Sequence, residues 1–257
     1  MDHHIHIIDI IKQFGPPKRP VVPKDWYIEV DNIIGILDKI SSALNISFYL
    51  VDNTSQSFLY VSKNPLFLCG YTPEFVKNSG YKFYEKVVSY EDILFLSQIN
   101  KAGFDFFYRQ DVTDRENLVI EYNFELIHLN RTKNRINHKL FPLVLTEDGN
   151  IWLSLCIISL SLHEKNTLAR IRNTVTNESY VFSPEKNDWE KVILVNLTKK
   201  ELLVLQLAAQ GCSNKIIAEK LSANLNTIKF HKKNLFNKFG TKNIIETIIK
   251  ARIQGII

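Results

Sequence analysis

The sequence predicts an α+β fold: an antiparallel-sheet domain with flanking helices, followed by an all-α domain of four short helices. Apolar and polar residues alternate in several segments between residues 47 and 162, as they do in half-buried strands. From residue 197 the apolar spacing becomes that of amphipathic helices, each with its own capping residue. The charge divides at the same place. Residues 197–257 hold eleven Lys and Arg against three Glu, a net of +8, and residues 1–196 hold 21 against 24, a net of −3.

The 257 residues, with a mass of 29.9 kDa, are enough for two domains of ordinary size. A proline cluster at positions 16–23 marks an extended connector near the start of the chain. The predicted parts are an N-terminal extension with a short helix (1–46), the sheet domain (47–162), a linker with a β-hairpin (163–196) and the helical domain (197–257).

Strands are expected where apolar runs end at turn signals. Residues 52–55 and 147–150 contain the Asp, Asn, Gly, Thr and Ser residues that favour turns. Short helical patterns lie between the second and third strands, which predicts helices gathered on one face of the sheet. The expected strands are 48–51, 58–61, 118–129, 141–145 and 151–162, and the arms of the hairpin are 170–175 and 180–183.

Four helices are predicted in residues 197–257 from their caps. The first begins at a capping box of Thr198 and Glu201 and ends before Gly211, which favours the left-handed conformation. The second and third are separated by a tight turn and form a helix-turn-helix. The remaining signals are Ser213 and Asn224 as caps of the second and third helices, Gly240 at the end of the third, and Asn243 with Glu246 at the start of the fourth.

The third helix, residues 225–239, has two different faces at 100° per residue. Ile228, Leu235 and Phe239 form its inner stripe, and His231 at the inner edge is expected to be a structural, hydrogen-bonded residue. The outer stripe contains lysines, asparagines and one aromatic residue. This composition suits the major groove, where Lys and Asn bind base edges and an aromatic ring contacts a thymine methyl. A solvated surface is the alternative, and an exposed Phe among lysines counts against it. The outer stripe consists of Asn226, Lys229, Phe230, Lys233 and Asn237.

Many residues at fixed spacings in this helical domain carry a family resemblance. They lie at 197–201, 204–205, 211–215, 217–218, 221, 227–231 and 238–240. This set resembles the LuxR/NarL-type helix-turn-helix DNA-binding domain. The resemblance implies that Lys229, Phe230 and Lys233 face the bases, and that Glu201 joins an internal ion pair instead of acting in catalysis. The residues expected to contact DNA phosphates are Thr227, Asn214, Lys215, Lys238 and Lys242.

Short motifs in the sheet domain carry a second resemblance. Residues 60–62, 68–75, 88–92 and 147–150 are similar to the motifs of a PAS domain spanning 47–162. PAS domains bind signals or partners, so the resemblance implies a sensor of a small-molecule or protein signal.

No cofactor and no metal site are expected. Cys69 lacks the surroundings of a flavin-photoadduct cysteine, and His128 and His138, which flank a polar loop in this reading, are not expected to bind haem. The aromatic residues of this domain either line a pocket or pack in the core, and core packing is the expected role. They are Phe83, Tyr84, Phe104, Phe106 and Phe107.

These features predict a cytoplasmic transcriptional regulator that binds double-stranded DNA as a homodimer and is not an enzyme. The sequence has no phosphate-cradling glycine loop and no nucleophile with its base. The longest apolar run, 151–162, has twelve residues, whereas a membrane-spanning helix needs about 20. The three cysteines form no CxxC pair and are expected to be buried thiols. The alternative function is a PAS-based interaction or signalling module whose helix-turn-helix serves protein contact.

Overall fold

The chain is α+β, as predicted, and divides into two compact units, residues 1–191 and 192–257. The computed structural model describes residues 7, 9–161, 169–192, 195–254 and 256–257. Parts of the predicted extension (1–6 and 8), the last predicted strand residue 162, and parts of the linker (163–168 and 193–194) lie outside the described residues.

The first unit contains one sheet, which has eight strands within the described residues. Its strand order is β2-β1-β5-β4-β3-β6-β7-β8, and the described pairings are antiparallel. All five strands predicted for the PAS-like domain are present. The strands are β1 (Ser47–Asp52), β2 (Ser57–Val61), β3 (Leu118–Ile127), β4 (Lys133–Leu145), β5 (Ile151–Leu160), β6 (Arg170–Asn173), β7 (Ser179–Ser183) and β8 (Asp188–Val192).

Strand β4 begins at Lys133, well before the predicted start at residue 141. Ile136, His138 and Leu140 point inward and are buried, while the residues between them are less buried. This is the two-residue period of a strand, with a histidine at one of the inward positions. The prediction of a polar loop between His128 and His138 is therefore wrong from Lys133 onwards, because the polar residue His138 faces the core.

The predicted hairpin is present, but it is not part of a separate linker. Its first strand, β6, pairs with β3, so that β6 to β8 extend the sheet. Trp189 of β8 is buried against Phe106 and Phe182. These apolar contacts add residues 170–191 to the first compact unit.

Helices cover both faces of the sheet, not one face as predicted. Phe48 and Leu50 pack in a core with Val30 and Leu37 of the helix before β1, whereas the alternate residue Tyr49 packs in the core on the opposite face. The helices are α1 (Ile28–Leu44), α2 (Pro65–Leu68), α3 (Pro73–Ser79), α4 (Tyr84–Val87), α5 (Tyr90–Arg109) and α6 (Val112–Arg115), with 3-10 turns at Lys24–Tyr27 and Gly80–Phe83.

The N-terminal extension contributes to the main core of the first unit. Ile10, Ile11 and Phe14 are buried there. The Phe14 ring makes edge contacts with Tyr81 and Tyr84, with ring centroids 6.0 and 5.4 Å away. Residues 10–14 are therefore part of the core of this unit and not an appendage to it.

The second unit consists of four helices within the described residues, and all their predicted caps are present. Thr198 and Glu201 form the capping box, and Gly211 and Gly240 have positive φ angles. The cap at Asn243 differs from a capping box in one hydrogen bond. The Asn243 side chain accepts from the Glu246 N–H, but the Glu246 carboxylate accepts from the Lys242 backbone N–H and not from that of Asn243. The helices are α7 (Lys199–Ala209), α8 (Asn214–Lys220), α9 (Leu225–Phe239) and α10 (Ile244–Ile253).

Candidate nucleic-acid interface

Helix α9 is held in place by its cap and by an apolar inner stripe. The Asn224 side chain accepts hydrogen bonds from the Thr227 N–H and hydroxyl, at 2.7 and 2.9 Å. Ile228, Leu235 and Phe239 are buried, as predicted, in a core shared with α7, α8 and α10. Burial of this stripe sets the rotation of the helix, so that its opposite face points to solvent.

His231 is half-buried at the inner edge of α9, and its Nδ1 atom lacks the predicted hydrogen bond within the described part of the chain. Its ring lies edge-on to Phe230, with the centroids 5.8 Å apart. The described contact of the His231 side chain is thus with the outward-facing aromatic residue.

The predicted outer stripe lies together on one exposed face of α9. Phe230 is 60% exposed, a large value for an aromatic side chain. Neither Lys229 nor Lys233 has an ion pair with any residue that the structure describes. The face can therefore offer ammonium and amide donors together with an apolar ring to a partner. All five residues, Asn226, Lys229, Phe230, Lys233 and Asn237, are exposed.

The three lysines among the candidate phosphate contacts are exposed: Lys215 at the start of α8, Lys238 at the end of α9 and Lys242 before α10. Asn214 is half-buried. Thr227 is also half-buried, and its hydroxyl hydrogen is donated to Asn224. Thr227 can thus offer its oxygen, but its hydrogen is already used inside the helix cap.

Lys238, which is predicted to contact phosphates, already has partners within the domain. Its Nζ atom lies 2.7 Å from Oε2 of Glu201 and 2.9 Å from the backbone oxygen of Asn196. Glu201 is 3% exposed, and it is the residue for which the resemblance implied an internal ion pair. Burial acts to raise the pKa of the Glu201 carboxyl, but hydrogen bonds from Lys238 and Thr198 outweigh it and lower that pKa.

Two further lysines of the helix-turn-helix are not among the predicted contacts. The helical period places Lys232 at the edge of the inner stripe of α9. It is half-buried, and burial lowers the pKa of its ammonium group. Lys220 is exposed at the end of α8.

The first unit offers neither a reactive thiol nor a metal cluster within the described residues. Cys69 and Cys156 are buried as predicted, and burial raises the pKa of each thiol to about 12. Cys212, in the second unit, is half-buried instead of buried. The residues described contain no group of three or more His, Cys, Asp or Glu side chains that could hold a metal ion.

Among the described helices, none has both the length and the apolar character needed to cross a membrane.

Solved structures similar to this chain include VqmA and SdiA. A Vibrio cholerae VqmA dimer without its target DNA, described among LuxR-type receptors, shares 15% identity over 86% of this chain and 88% of its own, with a TM-score of 0.36. SdiA of Escherichia coli shares 15% identity over 99% of each chain, with a TM-score of 0.26.

Sequence relatives of this chain match about a quarter of its length. HTH-type transcriptional regulator AlkS of Pseudomonas putida is 41% identical over 61 residues, which are 24% of this chain and 7% of that protein. Fimbriae Z protein of Salmonella typhimurium is 45% identical over 61 residues, or 24% of this chain and 29% of that protein. Oxygen regulatory protein NreC of Staphylococcus aureus is 38% identical over 60 residues, or 22% of this chain and 28% of that protein. The matches thus span less than a third of each relative.

A family model described as bacterial regulatory proteins, luxR family, matches residues 195–251. This range holds α7, α8, α9 and most of α10, including the capping box, the helix-turn-helix and the exposed stripe. Residues 195–251 are therefore a domain of the luxR family of bacterial regulatory proteins.

Proposed function

We propose that the protein is a sequence-specific DNA-binding transcriptional regulator, in which α9 reads the major groove under the control of the PAS-like residues 47–162. The observation that carries this proposal is the exposed stripe of α9. Two lysines, two asparagines and one phenylalanine share a single face, and the buried inner stripe holds that face outward. A bare cationic surface would not require the exposed ring of Phe230.

The proposed contacts divide into two classes. Lys229, Phe230 and Lys233, flanked by Asn226 and Asn237, meet base edges and supply the choice of sequence. Lys215 and Lys242, with Asn214 and Thr227, meet phosphates and supply affinity that falls as salt rises. The net charge of +8 on residues 197–257 supports this division, because phosphate neutralisation favours a basic module. Lys238 is left out, because its ammonium is paired with Glu201.

We further propose that the regulator acts as a homodimer. Ile245 and Ile249 lie one turn apart on α10 and are 67% and 52% exposed. A second copy of the chain would bury this pair, and a two-fold dimer would place two α9 helices on successive half-sites. The proposed place of action is the cytoplasm, where the DNA is, and the proposed signal is a small molecule or a protein. No catalytic role is proposed.

The test is capture of fragmented genomic DNA by the purified full chain, followed by sequencing of the retained fragments. A shared sequence motif is expected, and its retention should fall as salt rises. The variant Lys229→Ala/Lys233→Ala should lose the motif. The matched control Lys199→Ala/Lys200→Ala removes the same charge from exposed positions on α7 and should keep it.

Failure of the full chain to retain any duplex DNA at low salt would contradict the proposal. Such a result would favour the interaction module, in which the helix-turn-helix contacts a protein.

A further inference from the structure

The C-terminal end of α9 is completed by a side chain from α10. Gly240 ends α9 in the left-handed conformation, with a φ angle of 59°. The last carbonyl groups of a helix lack partners inside it, and no backbone N–H among the described residues is bonded to those of Phe239 and Gly240. The Lys250 ammonium group donates to both instead. Its Nζ atom lies 3.0 Å from the Phe239 oxygen and 3.4 Å from the Gly240 oxygen.

Electrostatics favours this contact as well as geometry. The C-terminal end of a helix carries a partial negative charge, which attracts a cation. Lys250 forms no ion pair with an acidic side chain in the part of the chain that the structure describes. The carbonyl groups at the end of α9 are therefore the partners of its ammonium group, and through them Lys250 joins α10 to α9.

A buried hydroxyl group joins α10 to the turn after α9. Thr247 of α10 is fully buried. Its hydroxyl donates to the backbone oxygen of Asn243 at 2.8 Å, and its Oγ1 atom lies 2.6 Å from Oγ1 of Thr241. The Thr241 N–H is bonded in turn to the Phe236 oxygen of α9, at 2.9 Å. A buried polar group with all its bonds made favours one arrangement, because a change of geometry would leave it unpaired.

This joint matters because its two helices have different proposed tasks. Helix α9 reads the bases, whereas α10 carries Ile245 and Ile249, the exposed pair that a second copy would cover. Lys250 follows Ile249 directly in the chain. The angle between α9 and α10 therefore sets where the two α9 helices of a dimer lie, and with it the separation of the two half-sites that they can reach together.

We propose that Lys250 and Thr247 are positioning residues, which fix the angle between α9 and α10 and thereby select the separation of two half-sites. Both residues act through α9, and neither contacts DNA in this role. The inference rests on the proposed function, for which it names the residues that set the geometry of recognition.

The angle is measured first, without DNA, from residual dipolar couplings of the backbone N–H groups of α9 and α10 in the full chain. Lys250→Met keeps the apolar stem and removes the ammonium group, and Thr247→Val keeps the shape and removes the hydroxyl. In each variant the couplings of the two helices should no longer fit the angle of the unaltered chain. The matched control Arg252→Met removes a charge from an exposed position of the same helix and should keep that angle.

Binding to DNA measures the consequence. Duplexes carry two copies of the half-site obtained by genomic capture, at centre separations that differ by single base pairs. Each added base pair moves a half-site by about 3.4 Å and turns it by about 34°, so the unaltered chain and Arg252→Met should prefer one separation about tenfold. Lys250→Met should reduce this preference to about twofold, while its affinity for a single half-site stays within about twofold of that of Arg252→Met.

Three results would overturn the proposal. One is an unchanged angle in both variants, and another is a preference for separation in Lys250→Met that equals that of the unaltered chain. The third is a loss of affinity for single half-sites with the preference kept, which would make Lys250 a phosphate contact. Lys250 is exposed, so its replacement should leave the unit folded. Because the angle is measured without DNA, failure there leaves DNA binding untouched, and failure of DNA capture leaves the angle to decide.

Discussion

His138 is a fully buried histidine in the centre of a hydrogen-bonded aromatic cluster. Its Nε2 atom lies 2.9 Å from the Tyr49 hydroxyl, which lies 2.7 Å from the Tyr84 hydroxyl. The ring stacks on Tyr122 at 4.9 Å. Burial lowers the pKa of His138 to about 3, so the residue is neutral at physiological pH.

This depressed pKa makes the stability of the first unit depend on pH. Below the unfolded pKa of about 6.5 the unfolded chain binds a proton that the folded chain does not, so stability falls as pH falls from about 6.5 towards 3. We expect a loss of about 1 kcal/mol between about pH 7 and pH 5.5, above the range in which most carboxyl groups titrate.

Denaturant unfolding followed by tryptophan fluorescence measures this loss, because Trp26, Trp152 and Trp189 all lie in the first unit. His138→Gln retains an amide near the Tyr49 hydroxyl and should remove most of the pH dependence in this window. Equal pH dependence in both proteins would contradict the assignment to His138.

Replacement of two lysines of the second unit by alanine should change DNA binding in two different ways. Lys233→Ala removes a proposed base contact and should relax sequence specificity. The expected loss of binding free energy at the preferred site is about 1–3 kcal/mol.

Lys215→Ala removes a proposed phosphate contact. It should weaken binding to all sequences and reduce the slope of log affinity against log salt by up to about 0.9.

Fluorescence anisotropy with specific and unrelated duplexes over a range of salt concentrations separates the two effects. If both variants lost specific and non-specific affinity equally, the division between base and phosphate contacts would be wrong.

At the scale of elements, the helices of the second unit are more predictable than the strands of the first. A helix cap and the inner stripe are local patterns, and the helix bounds at Lys199, Asn214, Leu225 and Ile244 follow the predicted caps. The first half of strand β4 is not predictable from local pattern, because the burial of His138 depends on residues distant in sequence that surround it. Pairing of β6 with β3 is likewise decided by contacts between remote segments.

Helix α10 is the element on which the proposed dimer depends. Ile249→Glu places a charge at an exposed apolar position that a second copy would cover, and it should weaken self-association at least tenfold. Leu203→Glu, at a similarly exposed position of α7, is the matched control and should leave association unchanged. Sedimentation velocity over a concentration series measures both, and an unaltered dimer in Ile249→Glu would exclude this face.

For the whole molecule, the separation into two units has a direct consequence. The core of the second unit is built entirely from residues 195–257 of that unit. A fragment of residues 192–257 should therefore fold by itself into the same four helices and bind DNA at low salt. Comparison of its amide NMR spectrum with that of the full chain tests the folding, and an unfolded fragment would show that the first unit is required.

The sequence by itself determined the α+β class, the four capped helices, and the separation of a buried stripe from a polar stripe on α9, because periodicity and capping act over a few residues. The tertiary structure decided the features that depend on residues distant in sequence. It formed the ion pair between Lys238 and Glu201, and it added β6 to β8 to the sheet. It also brought Asn100 of α5 within hydrogen-bond distance of the Tyr122 hydroxyl of β3. Such contacts join residues far apart in sequence, and no local pattern specifies them.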